Sequence, residues 1–182
     1  MGWKASPTRE LVFENCFVAE SDRLLAEGEG FKVAMGGLDR GRVAIASIGV
    51  GCAQRALDEA TRYALGRVQF KQSIFEFQGL QWMLADMATE IEAARLLVLE
   101  AARRIDANES PSKLASMAKL KATDVAMKVT TDAVQIHGGV GYTSEYPVER
   151  FMRDAKVLQI VEGTNQIQRV VIARHLKKEY AP

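Results

Sequence analysis

Residues 78–108 read QGLQWMLADMATEIEAARLLVLEAARRIDAN, and this stretch decides the fold. Its apolar side chains fall at Leu80, Leu84, Met87, Ile91, Ala94, Val98, Ala101 and Ile105, in alternating steps of four and three. Those steps bracket the roughly 3.6-residue turn of an α-helix, so these side chains share one stripe. A stripe this regular is the seam of a helix bundle and needs other helices to cover it.

The flanking sequence supplies them. Upstream, residues 31–66 hold no proline and space Ile45, Ile48, Cys52, Ala56, Ala60 and Tyr63 helically, which predicts a rod of about 50 Å at ~1.5 Å per residue. Downstream, Ser110 is the expected N-cap and Pro111 the first helical residue, ahead of Leu114, Ala118, Ala122, Val125, Val129, Ala133 and Ile136. The glycines Gly138 and Gly139 stop that helix. A short piece over residues 145–153 leads to a last helix from Asn165 to about Lys178, with Thr164 as its N-cap. Four main helices on short connectors predict an all-α, antiparallel four-helix bundle. The first residues read differently. Arg9 to Val18 is rich in strand formers, and Gly28 and Gly30 break the segment. A lone strand is marginal, so residues 1–29 are expected to be the remnant of a β-domain and linker, ahead of a helical domain over residues 30–182.

Composition narrows the function classes. The 182 residues are 48% hydrophobic and 26% charged, with 24 basic against 23 acidic side chains and a net charge of +1. That balance gives no basic face for nucleic acid and no membrane surface. Two cysteines, Cys16 and Cys52, and two histidines offer no zinc spacing, so no metal is expected and the thiols are read as buried and reduced. The start, Met1-Gly2-Trp3-Lys4-Ala5-Ser6, fits a myristoylation pattern but lacks a polybasic patch, and is read as coincidence. Cytoplasm is the default location, or a mitochondrial matrix for a eukaryotic chain.

Four motifs carry candidate chemistry. Gln159 to Gln168 sets one carboxylate, Glu162, beside Gly163 on the threshold of a helix capped by Thr164. That setting suits a general base held near a helix dipole, although a Glu ahead of a helix is as readily a surface residue. Gly36, Gly37 and Gly41, interleaved with Asp39, Arg40 and Arg42, interrupt the first helix, either for a ligand or for tight helix packing. Arg67-Val68-Gln69-Phe70 pairs a guanidinium with an amide and a ring, as a nucleotide site requires, or forms a solvated loop. Gln135-Ile136-His137-Gly138-Gly139 ends a helix with exposed N–H groups that suit phosphate, while His137 lacks a catalytic partner in sequence.

In order and spacing these motifs, with Leu38-Asp39-Arg40-Gly41-Arg42 and Val161-Glu162-Gly163-Thr164-Asn165-Gln166-Ile167-Gln168, resemble the acyl-CoA dehydrogenases. The resemblance covers essentially the whole chain but only the C-terminal half of such an enzyme. It implies a flavoenzyme that introduces an α,β double bond into an acyl-CoA thioester. Glu162 matches the base that takes the α-proton while a hydride leaves for FAD. Arg67, Gln69, Phe70, Gln78, Gln135, Gly138, Gly139, Thr164 and Gln166 match FAD-binding positions, the Arg67 and Gln135 stretches reaching the FAD of a neighbouring subunit. Asp39, Arg42 and Gly163 match positions along the substrate channel. Some branches carry the base on the first long helix, at the position of Gly41, so the resemblance assigns this chain to the Glu162 branch. It departs at Lys71 and Ser73, where the family usually has glycine and proline, so an altered turn is expected there. The implied partners are acyl-CoA, an electron-transferring flavoprotein and further copies of the chain, as a dimer or tetramer. The alternatives are a non-catalytic helical assembly module and an acyl-CoA oxidase.

Overall fold

The seam of residues 80–105 does form a helix. In the computed structural model, which describes residues 1–181, α1 spans Gly30–Gly66, α2 Gln78–Asp106, α3 Ser112–His137, α4 Val148–Leu158 and α5 Asn165–Tyr180. On α2 the positions from Leu84 to Ala101 are buried, with Leu80 and Ile105 half-buried at its ends. The stripe on α3 is likewise buried from Ala118 to Ile136. α3 lies at the centre and packs against every other helix. Its small residues let α1 come close: a Cβ on Gly49 of α1 would sit 3.1 Å from the Ala122 carbonyl oxygen.

Several expectations are corrected. α1 runs unbroken through Gly36 and Gly37, which are exposed and touch nothing within 4 Å of a built Cβ. Each glycine costs about 1 kcal/mol against alanine, and the packing of the helix from Arg42 onward outweighs that. On α1, Ile48 is exposed, and the buried face is Val43, Ala46, Val50, Ala53, Leu57, Ala60 and Ala64. The alanine-rich side faces α3 because it allows the closer approach. The third helix starts one residue late, with Pro111 as N-cap and Ser112 first. The piece at residues 145–153 becomes the longer α4, and Thr164 caps α5 as expected, its Oγ1 accepting from the Ile167 N–H at 3.3 Å.

Residues 9–18 form no strand. Leu11, Val12, Phe13, Phe17 and Val18 stand in solvent, because strand formers pair only where another edge is present. Ahead of them, Met1–Trp3 dock on α4. The Trp3 N–H donates to Asp154 Oδ1 at 2.6 Å and Arg153 Nη1 donates to the Met1 carbonyl at 2.8 Å. Of the two thiols, Cys52 is half-buried and pushed up to about 11 by burial and then by Asp154, whereas Cys16 is exposed, against expectation.

The only strands among the described residues follow α1: β1, Val68–Gln69, and β2, Gln72–Ser73, pair antiparallel. Phe70 and Lys71 turn between them with φ of 51° and 66°. Two consecutive left-handed residues make the two-residue turn that suits strand twist. The departures from the family pattern therefore leave a regular turn. Ser73 Oγ donates to the Ala64 carbonyl at 2.7 Å and accepts from the Phe75 N–H at 3.2 Å. Lys71 carries the strain of a left-handed L-residue, about 1–2 kcal/mol, against the ~0.5–1 kcal/mol entropy cost of glycine. Lys71→Gly is expected to raise the thermal midpoint by about 1–2 °C, read by circular dichroism, while Lys71→Ala gives no gain.

Candidate active site

The connection from α4 to α5 carries the acid. Gln159 and Ile160 turn back on α4, and Ile160 and Val161 donate to the Val157 carbonyl at 2.9 and 3.0 Å. Glu162 and Gly163 follow with φ of 54° and 85°. Positive φ is comfortable for Gly163 but strained for Glu162, and such strain persists only where surrounding contacts over-determine it. The strained turn swings the Glu162 side chain onto α1. There a Cβ built on Gly41 would meet Oε2 at 2.5 Å and Cδ at 2.9 Å. Gly41 is therefore the glycine of its cluster with a site-specific reason: its missing side chain is the space the carboxylate occupies. The Glu162 N–H has no acceptor among the described residues and is free to donate. Glu162 itself is half-buried and Ile160 exposed, so this chain alone leaves the carboxylate open on one side.

The contacts that impose the turn come from α3 and α5. Lys119, at the same height on α3, is fully buried, and its Nζ donates to the Gly163 carbonyl at 3.0 Å and to Asn165 Oδ1 at 2.8 Å. One helical turn on, Thr123 exchanges bonds with the Asn165 amide, and Asn165 Nδ2 donates to Asp124 Oδ1 at 2.8 Å. Asp124 also accepts from Gln159 Nε2 at 2.7 Å, so one carboxylate ties both ends of the connection. From α5, the buried Gln168 donates from Nε2 to the carbonyls of Glu162 and Gly163 at 3.1 and 2.8 Å. Burial pushes Lys119 down to about 8, with Asp124 opposing, Arg42 adding to the fall and Glu162 opposing. Sequence reading missed Lys119 because it adjoins the seam residue Ala118 and looks solvated. Its spacing of four from both Ala115 and Thr123 was the available signal, since α3 is buried on more than one face.

On α1, Arg42 directly follows Gly41 and Asp39 lies two residues before it, and the two pair across one turn. Arg42 is buried and its Nη1 donates to Asp39 Oδ1 at 2.8 Å, while its Nε has no partner. Asp39 remains half-buried. Gly163, Thr164 and the exposed Gln166 lie at this same end, on the loop and the first turn of α5.

The other predicted residues lie elsewhere. Arg67, Gln69 and Phe70 are all exposed on the hairpin, and Gln78 is exposed at the start of α2. Beside them, Gln135, Gly138 and Gly139 close α3, with open space around both glycines. The two helix ends meet where His137 stacks on Tyr63 at 4.3 Å, and a cavity of about 450 Å³ there is lined by Arg62, Arg67 and His137. His137 is structural, as expected: Nδ1 bonds the Ala133 carbonyl at 2.8 Å and burial lowers its pKa. The glycine that packing requires here is Gly141, whose Cβ would meet the Val134 carbonyl oxygen at 2.7 Å. From Gly41 to Gly66 α1 is continuous, so this cluster stands about 37 Å along the helix from Glu162 at ~1.5 Å per residue.

With this geometry in hand, comparison with known proteins is direct. The family model described as "Acyl-CoA dehydrogenase, C-terminal domain" matches residues 28–177. The chain belongs to the acyl-CoA dehydrogenase family. It is 56% identical over 178 residues to the probable acyl-CoA dehydrogenase FadE25 of Mycobacterium tuberculosis, covering 97% of this chain and 46% of that protein. It thus spans about half the length of the curated relatives it matches. Butyryl-CoA dehydrogenase from Megasphaera elsdenii superposes with a TM-score of 0.82 at 50% identity, over 83% of this chain and 39% of that one. A chain of the structure described as electron transferring flavoprotein of Acidaminococcus fermentans gives 0.89 at 55% identity, over 91% and 43%.

For this acyl-CoA dehydrogenase domain, the residues fit the FAD the family implies, but at two separate places. The Gly138 N–H, expected to be open, is instead taken by the Gln135 and Val134 carbonyls, and the exposed Arg67 guanidinium is the group left there that suits a pyrophosphate. Thr164 and Gln166 offer polar groups beside Glu162. No helix of the described residues is long and apolar enough to cross a membrane, and no cluster of metal-ligating side chains is present among them.

Proposed function

We propose that this chain supplies the base-bearing helical half of an FAD-dependent acyl-CoA dehydrogenase acting by α,β-dehydrogenation. Residues 1–29 are read as the end of its β-domain and residues 30–182 as its C-terminal helical domain. The observation that carries the proposal is the seat of the Glu162 carboxylate on Gly41, held by a strained turn with a free N–H. FAD, when bound, supplies the acceptor for the β-hydride. Glu162 takes the α-proton of the acyl thioester. The Glu162 N–H donates to the thioester oxygen as enolate charge develops there, which makes the α-proton acidic enough to leave. Gly163 lets the substrate pass close to the turn, and Arg42 with Asp39 lines its channel. Thr164 and Gln166 would hold the same flavin.

The Arg67, Gln69, Phe70, Gln78, Gln135, Gly138 and Gly139 end lies too far along α1 to serve that flavin. It is assigned to the FAD of a second copy, which makes a homo-oligomer part of the reading. The exposed Trp82, Leu96 and Leu99 of α2 support such association. An electron-transferring flavoprotein is the proposed acceptor and the cytoplasm the proposed location.

Each flavin site then needs the remainder of the β-domain, of which this chain offers at most residues 1–29. Purified alone, the chain is expected to leave gel filtration colourless. Combined with the remaining half of the enzyme, in cis or in trans, it is expected to carry stoichiometric FAD, read from its visible absorbance. Stoichiometric flavin on the chain alone would overturn the division of the site.

A further inference from the structure

Lys119 is the largest fully buried side chain among the described residues. Among the described residues no carboxylate lies within ion-pair distance of it, and its hydrogen-bond partners are the Gly163 carbonyl, on the connection that bears Glu162, and Oδ1 of Asn165, the first residue of α5 after it. A buried ammonium without an anion is costly, and an apolar side chain of similar length would make a more stable core. Its contacts are therefore the reason to look for. The Gly163 carbonyl is turned inward at the point where φ is positive at two successive residues, and Lys119 Nζ gives it a second donor beside Gln168, whose two Nε2 hydrogens go to the Glu162 and Gly163 carbonyls.

We propose that Lys119 is a positioning residue for Glu162: its ammonium draws the Gly163 carbonyl into the bundle, holds the 162–163 turn left-handed and so keeps the carboxylate seated over Gly41. Only the effect on turnover rests on Glu162 being the base. The effect on the turn does not.

The ammonium also makes the lock titratable. The charged groups facing it are Asp124 on α3, Arg42 from α1 and Glu162 from the connection, with Arg169 of α5 paired to Asp124 at 3.3 Å. Lys119 releases its proton at about 8 in the folded protein against an ordinary 10.5. Between these values the unfolded chain binds more protons, so this group makes global stability rise with pH while its grip on the turn weakens.

The test is amide hydrogen exchange of the 182-residue chain, comparing Lys119→Met with the parent. Protection at Asn165, whose N–H closes the connection on the Gln159 carbonyl at 3.0 Å, is expected to fall about tenfold or more, the factor of one charge-assisted hydrogen bond. Protection around Met87 and Ile91 of α2 stays unchanged, and the thermal midpoint stays level or rises. In the parent chain, protection at Asn165, corrected for intrinsic exchange, falls several-fold as pH passes about 8, whereas Lys119→Met gives a flat profile. The parent's own pH profile decides the matter even should the variant fail to fold. In the complete enzyme, Lys119→Met lowers the rate of flavin bleaching about 10- to 100-fold with little change in KM for acyl-CoA. Unchanged exchange at Asn165, or a loss shared equally by α2 with a lower midpoint, overturns the proposal. Unchanged turnover with a loosened turn overturns the positioning role as well. Failure of the base reading has a different signature: turnover surviving Glu162→Gln, with the exchange comparison unaffected.

Discussion

Glu162→Gln, in an enzyme completed by its remaining half, is expected to fold, bind FAD and bind acyl-CoA, and to lose dehydrogenation by about 10²–10⁴-fold or more. Glutamine matches glutamate in shape, so the seat over Gly41 and the backbone N–H survive, and only the proton acceptor is removed. A closed site admits no water to replace it, which pushes the loss toward the upper end. Anaerobic mixing with an acyl-CoA, followed by flavin bleaching, reads this directly. The neighbouring acids make the control. Glu145 is exposed, and Glu149 accepts from Nε and Nη2 of Arg153 at 2.6 and 3.0 Å, with its carboxyl kept below the usual range by that pairing. Glu149→Gln should bleach almost normally. Normal bleaching by Glu162→Gln would mean that the proton leaves by another group.

Gly41→Ala is the second large effect, and it has opposite signs for stability and activity. Alanine is the better helix former by about 1 kcal/mol, and the atoms its Cβ meets are the far end of one flexible side chain. The fold should therefore hold, with an equal or higher thermal midpoint. The Glu162 carboxylate must move, because 2.5 Å to Oε2 is far inside contact distance. A shift of about 1 Å at a reacting group costs on the order of 100-fold, so bleaching should slow by roughly one to two orders of magnitude with acyl-CoA still bound. A variant as fast as the parent would show that the carboxylate does not react from its seat on α1.

Much of this protein is legible residue by residue. The α2 seam was complete in the sequence because helical periodicity is a property of consecutive residues, and every position from Leu84 to Ala101 is buried as spaced. Thr164 as a cap and Gly138 as a helix stop were equally local. The strand-forming run at residues 9–18 misled for the complementary reason: strand propensity is realised only against a partner edge, which no spacing within the run can reveal. Ile48 misled because an isoleucine on an amphipathic helix says that one face is covered, not which one. The packing of α1 on α3 selected the alanines.

By itself the sequence determined the helices, their order and the family, and it singled out Glu162 as the candidate base through the motif from Val161 to Gln168. Only the tertiary structure decided that Glu162 rests on Gly41, more than a hundred positions away. It alone showed that Lys119 lies beneath the turn, and that the Arg67 and Gln135 groups gather at the far end of α1, away from Glu162. These are relations between segments whose separation along the chain carries no information about their distance in space. They are fixed by how close α1, α3 and the α4–α5 connection can approach, and that depends on the small residues between them.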